Sequence, residues 1–440
     1  MSATEATSTL QRSRLTGEDA DASPLAPVRF LIWVYFLLLL FEGAMRKWWF
    51  PGLSQGLLVV RDPVVLGIYF LAFTRGIFPS QNKYIQILFY WTIVAVAFSF
   101  VLNKAHPLTI SYGARTNLLH FPLIFIIGSV MTRRDLIYFG WAFLLLSWPM
   151  TWVVAEQFQA DREDIMNVAA GGFGYQLETS GGRVRASGTF SFIRGIVFYY
   201  CFVMAFVIYG FLRKGVFPNW LLYLGAGATF LAMVTAGSRA VIAETLQVLA
   251  CFAFLAYFRP SEFGRITASV FGLSAIGLAL YSQIELFKEG FDFLSLRFEE
   301  AANVEGNPIE AYFNRYWEIL SAPYYYSLWT ETFGLGLGTA TRAGTALGAG
   351  MGVAEVSWSR PIIENGPLLG FLFVAWRIWL VKGMLKISIL AIKRGSYLAI
   401  FLFGAAGPII LFGLLGQPTN LGFAAFGGGL CVAAARMPKI

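Results

Sequence analysis

Histidine is nearly absent: 440 residues contain only His106 and His120, which argues against a histidine-ligated zinc centre. Cysteine is as sparse. Cys201, Cys251 and Cys431 each lie inside an apolar run, so they read as small core residues, not as a disulfide frame or a metal site. Charge is the third shortage: Asp, Glu, Lys and Arg make up 13% of the chain, where soluble domains carry roughly 25%. Hydrophobic residues reach 57%, and the two figures together describe a polytopic membrane protein. The formal net charge of +8 is no nucleic-acid footprint, because most basic residues sit in short turns between apolar runs, where membrane orientation accounts for them. A catalytic triad, metal-ligand spacing and a Walker loop are all missing. The usable acid–base groups on the outer face are carboxylates, His106 and tyrosines, which limits the chemistry to positioning and electrostatics with one modest base.

What the chain has in quantity is long apolar runs. A spanning helix needs about 20 apolar residues. About twelve runs qualify, centred on 28–45, 57–74, 84–102, 117–132, 136–155, 191–212, 219–236, 240–257, 266–282, 362–381, 396–415 and 419–435. The expected fold class is an all-α polytopic membrane protein. Residues 1–27 are polar and mixed in charge, and read as a disordered cytoplasmic tail without a signal-peptide pattern. Residues 28–282 supply nine spans, 283–361 one large external loop, and 362–440 three further spans. A short helix is expected at 310–321, and the amphipathic stretch 383–394 suits the membrane interface.

Basic residues fall in every other turn: Arg75 and Lys83, Arg133 and Arg134, Arg213 and Lys214, Arg259 and Arg265, the set from Arg377 to Arg394, then Arg436 and Lys439. The positive-inside rule puts these turns and both termini in the cytoplasm and residues 283–361 outside. The outer face still carries Arg46, Lys47, Arg61, Arg115, Arg183, Arg185, Arg194, Arg239, Arg297, Arg315, Arg342 and Arg360. Arginine presents a planar fork suited to phosphate and carboxylate, so an anionic lipid headgroup such as a pyrophosphate is one reading. Pairing with outer-face acids, or snorkelling to headgroups, is the other.

Three constellations stand out. Gly237-Ser238-Arg239 closes the seventh span; Arg239 sits at membrane depth, where an ionisable group needs a partner or a task, and Glu244 is a possible partner. Arg315-Tyr316-Trp317 is followed by Gly334, Gly336 and Gly338, whose freedom allows close backbone approach and positive φ. Glu355 through Arg360, then Glu364-Asn365-Gly366, joins the external loop to the tenth span. There Glu355 is either a general base or an acid on a loop, and Trp358 either stacks on a sugar ring or anchors the interface.

These features resemble the bacterial O-antigen ligase and polymerase superfamily of membrane glycosyltransferases. Gly237-Ser238-Arg239 resembles its Ser-Arg-Gly motif. Arg315 with Trp317, then Gly334 to Gly338, resembles its Arg-x-x-x-Trp and Gly-x-Gly signature, with a different Trp spacing. Glu364-Asn365-Gly366 resembles its Glu-x-Gly lead into the next helix, and Arg185 to Phe190 a stretch before the sixth span. Glu42-Gly43-Ala44 with Arg46-Lys47-Trp48, then Arg61-Asp62-Pro63, looks like an uncharacterised branch. The resemblance implies a C-type glycosyltransferase fold and transfer from an undecaprenyl-pyrophosphate-linked glycan, with no metal and no nucleotide sugar. It also implies that Arg239 holds the pyrophosphate and that Arg315 matters. Ligases of the superfamily place a His late in the long loop; this chain has Glu355 about there.

The expected activity is therefore transfer of a lipid-linked glycan to an acceptor hydroxyl at the outer face of a bacterial inner membrane. Its expected catalytic set is Arg239, Arg315 and Glu355, with Arg46, Lys47, Arg61, Arg185, Ser238, Trp358 and Arg360 binding substrate. The alternatives are a flippase for the lipid-linked glycan and a non-catalytic assembly factor. The expected partners are that glycan, a glycan or glycolipid acceptor and membrane lipids.

Overall fold

The computed structural model describes residues 23–437 apart from 173, 180, 181, 342, 343 and 346–355, without the side chains of 301, 304, 305, 308, 309, 311, 312 and 315. Helix α1 (Ala26–Ala44) has Pro27 in its first turn, where no N–H is needed, and runs into a π-helical turn, Met45–Trp49. Then come α2 (Asp62–Thr74) and α3 (Lys83–Val101), the latter capped by Asn82 Oδ1 accepting Tyr84 N–H at 3.0 Å. Helix α4 (Pro107–Ala114) passes through a second π-helical turn, Arg115–Leu119, into α5 (Pro122–Val130). Thr132 and Asp135 form a capping box for α6 (Arg133–Gln159). After an extended stretch follow α7 (Arg194–Leu212), α8 (Asn219–Thr235), α9 (Arg239–Phe258) and α10 (Phe263–Gln283). Next are α11 (Glu285–Glu305) and α12 (Pro308–Trp329), and the chain finishes with α13 (Ser359–Lys393), α14 (Leu398–Phe412) and α15 (Pro418–Arg436). Among the described residues there is no β-strand, and eight helices are long and apolar enough to cross a membrane.

Helix α7 is apolar all round and almost wholly buried, which makes it the centre of the bundle. Phe143 of α6 packs between Phe36 of α1 and Phe202 of α7, with ring centroids 5.1 and 5.5 Å away. Small residues on α15 let backbones come close: Phe202 lies over Gly427, and Ile127 of α5 over Gly429.

The polar groups gather at two levels. At one end Arg29 donates to the Val130 carbonyl at 3.0 Å and Arg436 to Met131 at 2.9 Å. Nearby on that end Arg259 donates to Ile392 at 3.1 Å, and Tyr397 and Arg265 both bind Glu262. The basic turns expected on one face do meet on one face. Arg377 is the exception. It is 1% exposed within α13 and donates to the carbonyls of Ile410 (2.7 Å) and Gly413 (2.9 Å) and to Ser357 Oγ (3.0 Å), so it closes the C-terminus of α14 and belongs to no turn.

The segment expected as a loop at 283–361 is mostly helix: α11 and α12 fill its first part, and the helix expected at 310–321 extends over Pro308–Trp329. The stretch 383–394 is the continuation of α13, not a separate interfacial piece. Helix α13 itself breaks at Gly366 (φ 74°, ψ 171°). Gly370 packs on the backbone of Ile362, and Arg377 reaches Ser357, residues that a continuous helix would hold about 30 Å apart. Residues 359–365 are therefore a half-helix folded back on the rest of α13.

Candidate functional site

Both π-helical turns rotate charged side chains into the protein. In the first, Arg46 donates to Ser54 O (3.0 Å) and Ser191 Oγ (3.0 Å) and stands 3.6 Å from Glu42. Lys47 donates to Ser187 Oγ at 3.0 Å and to Gly188 O, with its ammonium 4.5 Å from the Trp48 ring centroid. In the second, Arg115 grips Asp62 with two N–H groups, while Thr116 and Asn117 accept from Arg360 at 3.1 and 2.6 Å. One-turn π bulges leave backbone groups without regular partners and often mark functional sites.

Between these turns runs a chain of buried contacts. Arg61 donates to Glu42 (3.1 Å), lies 3.5 Å from Tyr35 Oη and donates to Pro418 O (2.6 Å); Tyr35 Oη bonds His120 Nδ1 (3.0 Å), and His120 Nε2 bonds Asp62 (3.1 Å). Helical rise places it inward of the basic end: Arg29 and Val130 meet there, and Tyr35 and His120 lie about 9 and 15 Å along their helices from them.

The folded-back half-helix supplies the other wall. Its last carbonyls, on Ile363 and Glu364, accept the N–H groups of Leu335 and Gly336, each at 2.9 Å, and Leu337 N–H goes to Ser99 Oγ at 2.7 Å. The glycines at 334, 336 and 338 all take positive φ, as their spacing suggested, but the loop's N–H groups are spent inside the protein and form no phosphate cradle. Buried Glu364 lies 3.2 Å from Arg360 Nε, and the backbone N–H groups of Gly338 and Ala340 also face its carboxylate.

Among the described residues, six basic side chains (Arg46, Lys47, Arg61, Arg115, Arg360, Arg377) and three acidic ones (Glu42, Asp62, Glu364) share this layer. Buried charge is costly unless paired, so a surplus of basic over acidic groups in the interior favours an anion.

The second group of expected residues lies beside it. The strap 183–191 carries Ser187, Gly188 and Ser191 to Lys47 and Arg46, while the Val184 carbonyl and Arg185 Cα pack against Gly237 (φ 63°). That contact brings Arg46, Lys47, Arg185, Ser238 and Arg239 to the two edges of one strap. Arg185 Nε is buried without a hydrogen bond, and Arg239, half-buried at the first position of α9, faces the Phe298 ring of α11 at 6.0 Å. Glu244 is held by Arg194 at 2.7 Å. Trp358 is buried, with its indole N–H on Leu411 O (2.6 Å) and its ring on Phe412, so it presents no face to a sugar. Arg315 lies on α12, its side chain outside the described residues, as are Arg342 and Glu355 altogether.

Sequence reasoning missed Tyr35, Thr116, Asn117, His120 and the burial of Arg377. The signal for His120 and Arg377 was an ionisable group inside an apolar run; nothing marked Tyr35. Compared with protein-family models, curated proteins and solved structures, the chain matches none.

Proposed function

We propose that the chain crosses a bacterial inner membrane about twelve times and transfers an undecaprenyl-pyrophosphate-linked glycan to an acceptor hydroxyl at the outer face. The observation that carries this reading is the surplus of buried basic over acidic groups, together with Arg185 on the strap beside it and Arg239 at the start of α9 against that strap. In the transfer, the acceptor oxygen bonds the anomeric carbon as the bond to the pyrophosphate oxygen breaks. The pyrophosphate leaves with the electron pair, neutralised by Arg239 and Arg185, and the hydroxyl proton goes to Glu355. Fixed donors in a water-poor site need no reorganisation as the charge develops, and losing one costs about 3–4 kcal/mol. Arg239→Ala should therefore lower transfer at least ~100-fold at unchanged membrane level. The assay is a deletion strain complemented with either allele, scored for glycan length and attached lipid. Single units on the lipid at the outer face indicate a polymerase, and long chains stranded there a ligase. Near-normal glycan with Arg239→Ala would sink the assignment of Arg239.

A transporter of the same lipid-linked glycan is the second reading. It draws on the buried Asp62–His120–Tyr35 chain and the broken α13, because proton relays and discontinuous helices at mid-membrane are transporter features. Glycan trapped on the cytoplasmic leaflet in the deletion strain would favour it.

A further inference from the structure

Helix α12 carries a row of large side chains that the rest of the protein leaves uncovered. Trp317, Leu320, Tyr324 and Leu328 recur at spacings of three and four, so they share one helix face, and they are 69, 48, 61 and 61% exposed. Trp329, at 88% exposed, and Tyr325 lie along one edge of the row. Polar Asn314 and Glu318, also exposed, lie along the same edge, nearer the start of the helix.

The opposite face of α12 is seated. Ala322 and Pro323 are buried, and Tyr316 meets Phe412, the last residue of apolar α14, edge-on at 5.3 Å. Phe412 in turn stacks on Trp358 at the start of the half-helix. Helix α12 therefore packs on the end of an apolar helix and against α13, whose own Leu368, Phe371 and Leu372 face outward at 70, 43 and 52% exposure. The outward apolar surface of α13 continues onto α12. What changes is its composition, from aliphatic and Phe to Trp and Tyr, the side chains that favour the boundary between hydrocarbon and headgroups.

We propose that α12 is an interfacial helix: its Trp317–Leu328 row is immersed in the lipid leaflet at the end of the molecule that carries the charged layer. This does not depend on the transfer reaction. A helix with one aromatic-rich apolar face and a polar shoulder lies in the membrane plane with that face at the acyl boundary. The segment from 285 to 329 is then fastened to the lipid and not held free above it, and a lipid-borne molecule reaching the charged layer passes under or beside α12 from the bilayer.

The test uses the full chain in lipid nanodiscs. Cys201, Cys251 and Cys431 are buried, so a single introduced cysteine is the reactive one. Spin labels are placed by Trp317→Cys, Leu320→Cys, Tyr324→Cys and Leu328→Cys, and for comparison by Asn314→Cys and Glu318→Cys, all exposed sites where the fold tolerates a change. Collision with dissolved oxygen should exceed collision with a water-soluble nickel chelate at the four row positions, and the order should invert at 314 and 318. Nickel access at the row equal to that at 314 and 318 would place the row in water and overturn the proposal. Low access to both reagents, with dipolar broadening between singly labelled chains, would put a second copy there and overturn it as well.

Discussion

If the buried layer is set by its surplus of basic over acidic groups, removing an acid from it should cost more than removing a cation. Glu42 and Arg61 make the sharpest comparison, because they bind each other at 3.1 Å and are 4 and 1% exposed. Taking one partner from a buried pair costs about 3–5 kcal/mol whichever is taken. The rest of the layer then breaks the symmetry. Glu42→Gln adds to the surplus of basic over acidic groups and leaves both Arg46 and Arg61 without their carboxylate. Arg61→Gln lowers that surplus and leaves Glu42 still 3.6 Å from Arg46. One extra charge about 8 Å from its neighbours is worth about 2 kcal/mol at an effective dielectric of 20, added in the first case and subtracted in the second. Glu42→Gln should thus lose about 5 kcal/mol or more and Arg61→Gln roughly 2. Equilibrium unfolding in mixed micelles, without phosphate in the buffer, measures both. The Arg162–Glu178 pair, with side chains 51 and 43% exposed, is the control: either neutralisation there should shift stability by under about 1 kcal/mol. Equal losses for the two buried variants, or a larger loss for Arg61→Gln, would refute the reasoning.

Three further outcomes are expected. Gly366→Ala puts a Cβ onto the Thr332 carbonyl at positive φ, so the protein should fail to accumulate as a monodisperse species on size exclusion, whereas Gly277→Ala, with open space around it, should behave as wild type. Arg377→Met should destabilise by about 2–4 kcal/mol in the same unfolding assay, since three acceptors lose their donors. Arg377→Lys should recover little of this, because an ammonium cannot span the fork of Ile410, Gly413 and Ser357. Maleimide should label none of Cys201, Cys251 and Cys431 until the protein is unfolded, which mass spectrometry reads directly.

The helical membrane character was legible because it rests on composition and run length, which any segment shows by itself. The two-faced distribution of turns was legible for a similar reason: Arg29, Arg213, Arg259 and Arg436 each flank an apolar run. The interior of the outer half was not. Arg61 finds Glu42, Pro418 and Tyr35, and Arg360 finds Thr116 and Asn117, across separations that no local spacing encodes. Arg377 was misplaced because a reversal at Gly366 cannot be told from a straight helix by hydropathy. The pairing of Glu244 with Arg194 instead of Arg239 has the same origin: it depends on how α7 and α9 lie side by side, while sequence offers only the nearer arginine.

The contact between Arg61 and Pro418 spans 357 residues of chain. At a synthesis rate of about 5–20 residues per second, Arg61 emerges roughly 20–70 s before its acceptor exists. Through that interval Glu42, Arg61 and Asp62, at the ends of α1 and α2, sit in an unfinished bundle. Until α15 arrives Arg61 is held by Glu42 and Tyr35 alone, and a truncation ending before Pro418 should be a substrate for membrane proteolysis, not a smaller stable protein.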